Sequence, residues 1–358
     1  MLIAANGKEL FVKTKVANLD WLVGLSNFEH LDMSYVDLSK VSNWLNVINK
    51  IPSLVETTLL LEDTYFKCPI PRTIRNSTKL KYVDLSGSNP NSAMLKWLYN
   101  CTSLETLLLY NNPLHGASAI LDDIILQLGV LKNLQALSGS IPTNIGRLSS
   151  LEFLGLSDNK LHGSTLLENL GQLSKLEILD ISSNSVEGIV TETQLDNLTH
   201  LRMFVAFGNS LTLNVSSSWI PRTQFRMLSL GSWQLVPEFQ TWLQSPKTLV
   251  ILDLSSTGIS GTIPSWFWNL SMQFGDFNLS HNQLHGEISS INGNQENSYI
   301  DLNSNKFNGT LPLFISPAYS FLDLSNNSFS GGISHFLCDA KSENKIVYYL
   351  DLARLSTC

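Results

Sequence analysis

Few residues in this sequence have the types and spacing that catalysis or metal binding requires. His281 and His285 lie four apart, which would place two metal ligands on one face of a helix, but they flank Asn282 in a predicted turn. The sequence contains no G-x-S-x-G, P-loop, G-x-G-x-x-G or HExxH motif. We therefore expect no catalytic residue, no metal site and no cofactor, and the sequence predicts a protein that is not an enzyme.

Asparagine side chains offer a second kind of chemistry, because eight N-x-S/T sequences could accept a glycan in a secreted protein. They begin at Asn76, Asn100, Asn197, Asn214, Asn269, Asn278, Asn308 and Asn326. Four of them share one phase just before a predicted strand, on the outer side of the fold, and these are Asn76, Asn100, Asn197 and Asn269. We expect glycans at these four positions and at Asn308. Asn278 and Asn326 lie on or beside a predicted strand, where a glycan would obstruct binding.

Cysteine usage and charge exclude several classes of site and partner. Cys68, Cys101, Cys338 and Cys358 form no CxxC pair, which argues against zinc-ribbon and thioredoxin-like sites. Two alternatives stay open, namely isolated thiols or a disulfide between Cys68 and Cys101, which lie one repeat apart. The chain carries 23 Lys and Arg against 30 Asp and Glu, a net charge of −7. This balance argues against nucleic acid or an anionic membrane surface as the partner.

The elements that must position all of these residues are set by an internal repeat, L-x-x-L-x-L-x-x-N-x-L-x-G. Clear copies are LETLLLYNNPLHG from Leu104, LEFLGLSDNKLHG from Leu151 and LVILDLSSTGISGTIP from Leu249. Copies begin near residues 28, 54, 80, 104, 134, 151, 176, 201, 225, 249, 274, 297 and 319. Most steps fall within the period of roughly 20–29 residues that is typical of leucine-rich repeats. The sequence therefore predicts one array over residues 1–358, with about thirteen repeats.

Each position of the repeat has a predicted role, numbered here from its first leucine. In L-x-L the two leucines point to one face of a short strand, and stacked repeats form a parallel inner sheet of an α/β repeat solenoid. The asparagine at position 9 is expected to satisfy backbone groups where the chain turns, and these residues would form a ladder. They are Asn112, Asn159, Asn184, Asn209, Asn282, Asn305 and Asn327. Irregular repeats are expected near 54–80 and 117–150, and Trp233, which replaces the ladder asparagine, is expected to distort its coil.

Positions 2, 3, 5, 7 and 8 are predicted to form the concave face of the sheet. Position 5 is aspartate in six repeats, which we interpret as a means of keeping this face hydrated. Exposed aromatic residues and an arginine–methionine patch at 200–232 are the expected anchors for a partner. The candidate ligand-binding residues are Tyr82, Tyr110, Phe153, Arg202, Met203, Phe207, Arg226 and Met227.

Longer motifs resemble one family more narrowly. SGSIP (138–142), SGTIP (260–264) and NGTLP (308–312) are similar to the plant-specific class of leucine-rich repeat, and FQTWLQSPKTLVILDLSSTGISGTIPSWFWNLS (239–271) resembles the ectodomains of plant receptor-like proteins, in the group of fungal xylanase receptors. The resemblance implies a twisted superhelix and a second short strand at G-x-I-P. It also implies a place on the extracellular face of the plasma membrane, and a role in defence or developmental signalling. The implied partners are a secreted peptide or microbial protein and a co-receptor kinase.

The sequence departs from that family at its ends. We find no signal peptide, no apolar span of about 20 residues and no cysteine-paired cap. An array uncapped at both ends exposes apolar edges, so we expect the isolated polypeptide to unfold partially or to self-associate. Two alternatives to a receptor fragment stay open, a soluble inhibitor of a cell-wall-degrading enzyme, similar to polygalacturonase inhibitors, and a non-functional truncated gene product.

Overall fold

The computed structural model describes the chain as a series of short parallel strands joined by turns and a few short helices. It describes residues 15–24, 30–41, 43–44, 47, 50, 58–64, 80–89, 101–112, 150–163, 173, 175–271, 276–288, 290–291, 298–314, 318–331, 346–347 and 350–351. The chain divides into two compact units, unit 1 (Met1–Val186) and unit 2 (Glu187–Cys358).

Unit 1 contains one strand of the inner sheet for each described repeat. After a 3₁₀ helix at Asp20–Gly24, its strands are β1 (His30–Asp32), β2 (Thr58–Leu60), β3 (Tyr82–Asp84), β4 (Thr106–Leu108), β5 (Phe153–Gly155), β6 (His162–Gly163), β7 (Ile178–Asp180) and the start of β8 (Ser185–Val190). The inner sheet has the order β1-β2-β3-β4-β5-β7, with every pair parallel. β6 pairs with the start of β8 outside this sheet.

Unit 2 repeats the same plan with two short helices. Its elements after β8 are α1 (Glu192–Asp196), β9 (Met203–Val205), β10 (Ser210–Leu213), β11 (Met227–Ser229), a 3₁₀ helix (Thr241–Gln244), β12 (Ile251–Asp253), β13 (Ser260–Thr262), α2 (Ser265–Ser271), β14 (Asp276–Asn278), β15 (Gln283–Glu287), β16 (Ser290–Ile291), β17 (Ser298–Asp301), β18 (Lys306–Asn308), β19 (Leu313–Phe314), β20 (Ala318–Asp323), β21 (Ile346–Val347) and β22 (Leu350–Asp351). The inner sheet runs β9-β11-β12-β14-β17-β20, and β21 and β22 both pair with β20.

The leucine pattern fixes which face of the sheet is buried. Position 4 points into the core in every described repeat, and these residues are Leu31, Leu59, Val83, Leu107, Leu154, Leu179, Phe204, Leu228, Leu252, Phe277, Ile300 and Leu322. Positions 3 and 5 of each strand lie on the opposite side, which we call the open face, because successive side chains of a strand alternate. The parallel sheet and the predicted solenoid fold are confirmed.

The plant-type second strand is also confirmed where the structure describes it. SGTIP begins with β13, which pairs with β15, and β15 pairs in turn with β18. β18 ends at Asn308, the first residue of NGTLP. SGSIP (138–142) lies outside the described residues. These outer strands form a separate three-stranded sheet on the far side of each repeat.

The second repeat is shifted from its predicted start. The register pairs Thr58 with His30 and with Tyr82, so position 1 is Glu56 rather than Leu54. Leu59 and Leu61 are then the two buried residues, while Leu60 lies half-buried on the open face. The leucine run from 59 to 61 hides the alternation, which is why the sequence alone gives the wrong phase.

The irregular region 117–150 falls almost wholly outside the described residues, as does the predicted short repeat at Leu134. β4 pairs directly with β5, with Thr106 opposite Phe153. Since β4 has β3 on its other side, no strand lies between β4 and β5 in the inner sheet of unit 1. The inner sheet therefore passes from the repeat at Leu104 to the repeat at Leu151 in one step.

Candidate ligand-binding face

The ladder asparagines hold the turn that follows each inner strand. The Asn282 Nδ2 donates to the carbonyls of Leu254, Leu279 and Ser280 at 2.8, 3.0 and 3.1 Å. Its Oδ1 accepts from the backbone N–H of Thr257 and Gly258 at 3.1 and 2.9 Å. One amide thus satisfies donors and acceptors of two repeats, which confirms the predicted structural role.

Hydroxyl groups replace the amide at three ladder positions. They belong to Thr64, Ser88 and Thr257, which are all buried. The Thr64 Oγ1 donates to the Met33 carbonyl at 3.0 Å, and the Thr257 Oγ1 donates to the Leu254 carbonyl at 2.8 Å. A hydroxyl supplies fewer donors than an amide, so these turns depend more on backbone bonds.

Trp233 does not distort its coil, and the prediction that it would is wrong. The indole Nε1 donates to the Ala206 carbonyl at 2.9 Å, so it supplies a donor to the preceding repeat as a ladder amide does. Met227 stays in register with both Met203 and Ile251. Among the described repeats, position 6 is alanine only at Ala206, and the other repeats have a larger residue there, most often leucine. The indole of Trp233, in the next repeat, takes the place of that larger side chain.

The position 5 aspartates have a specific structural role. In each of six repeats one carboxylate oxygen accepts the backbone N–H two residues later, at 2.8–3.0 Å. The six are Asp32, Asp84, Asp180, Asp253, Asp301 and Asp323. These local bonds close the turn before position 8, where the backbone is left-handed. The aspartates therefore stabilise the fold as well as making the open face acidic.

Three of the predicted anchors lie together on unit 1. Tyr82 and Phe153 are both register partners of Thr106, so they flank it on either side at position 3. The Tyr110 ring lies over Gly155, where a Cβ atom would stand only 2.3 Å from the ring. Burial, and then the carboxylate of Asp180, raises the pKa of Tyr110, so its hydroxyl stays protonated. Tyr82, Tyr110 and Phe153 are half-buried and belong to three neighbouring repeats of the inner sheet, and we call them the aromatic cluster of unit 1.

The other five predicted residues lie at one end of unit 2. Met203 and Met227 are register partners, and the Arg226 N–H donates to the Arg202 carbonyl at 2.7 Å. Both arginines are exposed, while the methionines are half-buried. Phe207, at position 7 of the same repeat, is 40% exposed. Arg202, Met203, Arg226 and Met227 thus lie side by side in two neighbouring repeats as a cationic and apolar patch, whereas Phe207 follows the other end of β9.

A third cluster on the open face was not predicted as a site. The Tyr299 and Phe321 rings stack with centroids 4.3 Å apart and an angle of 9° between planes. Tyr299 and Phe321 are register partners at position 3 of their repeats, and the register shift between β17 and β20 falls just before them, between Ser298 and Tyr299. The Asp276 Oδ1 accepts the Tyr299 N–H at 2.8 Å, so a carboxylate adjoins the pair. Alternation marks Tyr299 as exposed, and counting repeat positions places Phe321 opposite it, so the repeat pattern is the signal that could have found this pair.

The remaining predicted sites have separate positions. Asn197 follows α1, Asn269 lies in α2 and Asn308 lies in β18, and all three are exposed on elements other than the inner strands. Asn76 and Asn100 lie outside the described residues. Cys101 is buried, which raises the pKa of its thiol to about 12, whereas Cys68 lies outside the described part of the chain. Within that part, no group of three His, Cys, Asp or Glu side chains could hold a metal ion.

The repeated strand, the ladder and the second plant-type strand together define a leucine-rich repeat protein. The family described as leucine-rich repeat region matches residues 59–261, and a single leucine-rich repeat matches residues 320–340. The chain belongs to this family.

Comparison with known proteins shows that the chain is similar to plant receptors. Receptor-like protein EIX1 of Solanum lycopersicum is 42% identical over 109 residues, which are 29% of this chain and 10% of that protein. Among solved structures, a TDR receptor has a TM-score of 0.61 at 17% identity, covering 97% of this chain and 68% of the other. The PEPR1–AtPEP1 structure has a TM-score of 0.56 at 25% identity, and the match covers 90% of this chain and 49% of the other. The aligned stretch spans only a tenth of EIX1, and no described helix is long and apolar enough to cross a bilayer.

Proposed function

We propose that this chain is a ligand-binding part of a plant cell-surface receptor-like protein, and that its open face recognises a peptide or protein. The observation that carries the proposal is the patch of Arg202, Met203, Arg226 and Met227. Arginine and methionine side chains are long and adaptable, so the four together supply contact area and charge to a partner. The likeness to EIX1 and to PEPR1 with its bound AtPEP1 supports the same proposal.

The aromatic cluster of unit 1 would act as a second set of anchors. Tyr82 and Phe153 present ring surface on rigid strands, so little side-chain entropy is lost when a partner packs on them. Tyr110 contributes a wall rather than a mobile contact, because its ring is held over Gly155. Phe207 would add a further exposed apolar side chain at the other end of β9. A co-receptor kinase as signalling partner, and a place on the extracellular face of the plasma membrane, are proposed from the resemblance to receptor-like proteins.

The arginine patch makes a direct prediction about binding. A library of random twelve-residue peptides displayed on phage would be panned against the 358-residue chain, and the enriched peptides would be titrated by fluorescence anisotropy. Arg202→Glu combined with Arg226→Glu should weaken the binding of peptides that recognise this patch by at least about tenfold, or 1.4 kcal/mol, because two exposed cations become anions.

Arg222→Glu is the matched control, since Arg222 is exposed but, unlike Arg202 and Arg226, does not directly precede an inner strand. It should leave affinity within about twofold. Peptides that bind the double variant as tightly as the unmodified chain would remove the arginine patch from the binding face. Failure to enrich any peptide would count against peptide recognition as the function.

Glycan placement gives a separate prediction. We propose N-linked glycans at Asn197, Asn269 and Asn308, whose exposed side chains lie away from the inner strands. The Asn278 Oδ1 accepts the Ser280 N–H at 2.9 Å in the same turn bond that the position 5 aspartates make. After secretion from plant cells, glycopeptide mass spectrometry should find high occupancy at the first three sites and little at Asn278. High occupancy at Asn278 would contradict the expectation that its turn hydrogen bond keeps this side chain from carrying a glycan.

A further inference from the structure

The strand register of unit 2 leaves a slot for one side chain on the open face, over Asp276. Ile251, Asp276 and Tyr299 are register partners at position 3 of three successive repeats, on β12, β14 and β17. Two strand spacings of about 4.8 Å separate the outer two residues by about 10 Å. The aspartate between them is the shortest of the three side chains. The Asp276 slot therefore has an aliphatic wall, an aromatic wall and a carboxylate at its base.

The Tyr299 ring turns one face toward this slot. Its other face stacks on Phe321, with ring centroids 4.3 Å apart and an angle of 9° between planes. Because this separation is close to the spacing of neighbouring strands, the ring planes stand roughly perpendicular to the line from strand to strand. β14 lies on the opposite side of β17 from β20, so the second face of Tyr299 is directed toward Asp276. Tyr299 is 37% exposed, so this face is open to a ligand.

The Asp276 carboxylate is held at the base of the slot. Its Oδ1 accepts the Tyr299 N–H at 2.8 Å, and a carboxylate has a second oxygen that can accept further hydrogen bonds. The surroundings of the ring are also negative. The pKa of Tyr299 is raised to about 12, by burial first and then by three nearby carboxylates. These belong to Asp301, Asp323 and Asp253.

The inner strands of unit 2 do not balance this negative charge themselves. In the six described repeats from β9 to β20, positions 3, 5 and 7 hold no Lys, Arg or His. A cationic ligand group would therefore meet carboxylates on this face without a basic side chain at these positions competing for them. A guanidinium suits the slot better than a compact ammonium, because its plane can stack on a ring while its N–H groups bond a carboxylate.

We infer that the Asp276 slot binds the guanidinium of an arginine side chain of the ligand, stacked on the Tyr299 ring and hydrogen-bonded to the Asp276 carboxylate. The inference rests on the proposed recognition of a peptide or protein, and it names one side chain of that ligand. The charge of the face is complementary to this occupant. The two walls leave room between them for one planar group.

The test uses Nα-acetyl-arginine amide as the probe, and saturation-transfer difference NMR follows its binding to the 358-residue chain. Nα-acetyl-citrulline amide keeps the shape of the side chain but lacks its charge. Nα-acetyl-lysine amide keeps the charge but lacks the plane. The citrulline probe should bind at least about fivefold more weakly than the arginine probe, and the lysine probe at least about twofold more weakly.

Variants of the chain assign these preferences to the slot. Asp276→Asn keeps an oxygen that can accept the Tyr299 N–H but removes the charge, so the arginine/citrulline ratio should fall below about twofold. Tyr299→Phe should keep both ratios, whereas Tyr299→Leu should remove the arginine/lysine preference. Glu238→Gln, which removes an exposed charge away from the strands, is the control and should change neither ratio. Thermal unfolding of each variant checks that the strands of unit 2 remain folded.

The outcomes separate this inference from the proposed function. The inference is overturned if the arginine probe gives no saturable signal, binds no better than either other probe, or keeps its preferences in Asp276→Asn and Tyr299→Leu. If that happens while peptides from the random library bind, the proposed function stands without the slot. If the arginine probe behaves as expected but the library yields no peptide, the slot binds a guanidinium and peptide recognition is overturned. If neither the arginine probe nor any library peptide binds, both are overturned.

Discussion

Trp233→Ala is expected to lower the free energy of unfolding by about 3–5 kcal/mol, the range for truncating a fully buried aromatic residue. The Trp233 side chain is 1% exposed and meets the Phe204 ring edge-on, with centroids 5.9 Å apart. It also lines, with Trp219 and Trp242, a small apolar void in unit 2 that the truncation would enlarge. The measurement is chemical or thermal unfolding followed by circular dichroism.

Trp21→Ala is the matched control, because Trp21 is 61% exposed and its removal should cost less than about 0.5 kcal/mol. A loss of similar size at both tryptophans would show that Trp233 is not the interior residue described here.

A double-mutant cycle tests why tryptophan is tolerated at a ladder position. Ala206→Leu restores the usual core residue, but it adds side-chain volume where Trp233 already packs, so it should destabilise by about 1–3 kcal/mol. Combined with Trp233→Asn, which restores the ladder amide, the same leucine should be neutral or stabilising. The two changes would then couple by at least about 0.5 kcal/mol. Strictly additive effects would mean that alanine and tryptophan do not compensate each other.

The repeat period allowed the inner sheet to be predicted, because alternation along a strand shows which leucines are buried, except in the second repeat, where the run from Leu59 to Leu61 hides it. The ladder was predictable for the same reason, since an amide recurs where each chain must leave the sheet. The left-handed backbone at position 8 was not predicted. It occurs at residues as different as Tyr35, Asn111, Ser183 and His281, so residue type does not mark it. The hydrogen bond from this N–H to the position 7 carbonyl of the next repeat fixes the conformation instead, as between Ser256 and Ser280 at 2.9 Å.

The candidate site was predictable only where each residue acts through its own strand position. Arg202, Met203, Arg226 and Met227 meet because their repeats are in register. Trp233 depends on a partner in a different repeat, Ala206, and counting positions within one repeat cannot show that compensation. Tyr110 depends in the same way on Gly155 in the following strand. The pairing of Tyr299 with Phe321, by contrast, follows from the strand position alone, because both residues stand at position 3 of adjacent repeats.

Asn282→Ala tests the ladder itself, with an expected loss of about 3 kcal/mol. Its removal leaves the Thr257 and Gly258 N–H groups without their acceptor; the buried Thr257 N–H costs roughly 1–3 kcal/mol, and the Gly258 N–H, on an exposed residue, costs less. The carbonyls are less affected, since Leu254 still accepts from the Thr257 hydroxyl and Leu279 from the Asn305 amide. Unfolding in urea, fitted for both the midpoint and its slope, measures the loss.

Asn282→Asp separates the donor from the acceptor role of the same side chain. Aspartate keeps an oxygen for the two N–H groups, but it turns a second oxygen toward the three carbonyls that the amide had served. The variant should therefore be at least as unstable as Asn282→Ala at pH 7, because a buried charge faces acceptors. It should recover partly near pH 4, where a protonated carboxyl can donate again. Gln283→Ala, at the exposed neighbouring residue, should cost less than about 0.5 kcal/mol. Equal stability of the alanine and aspartate variants at every pH would mean that the amide's donors contribute nothing to the turn.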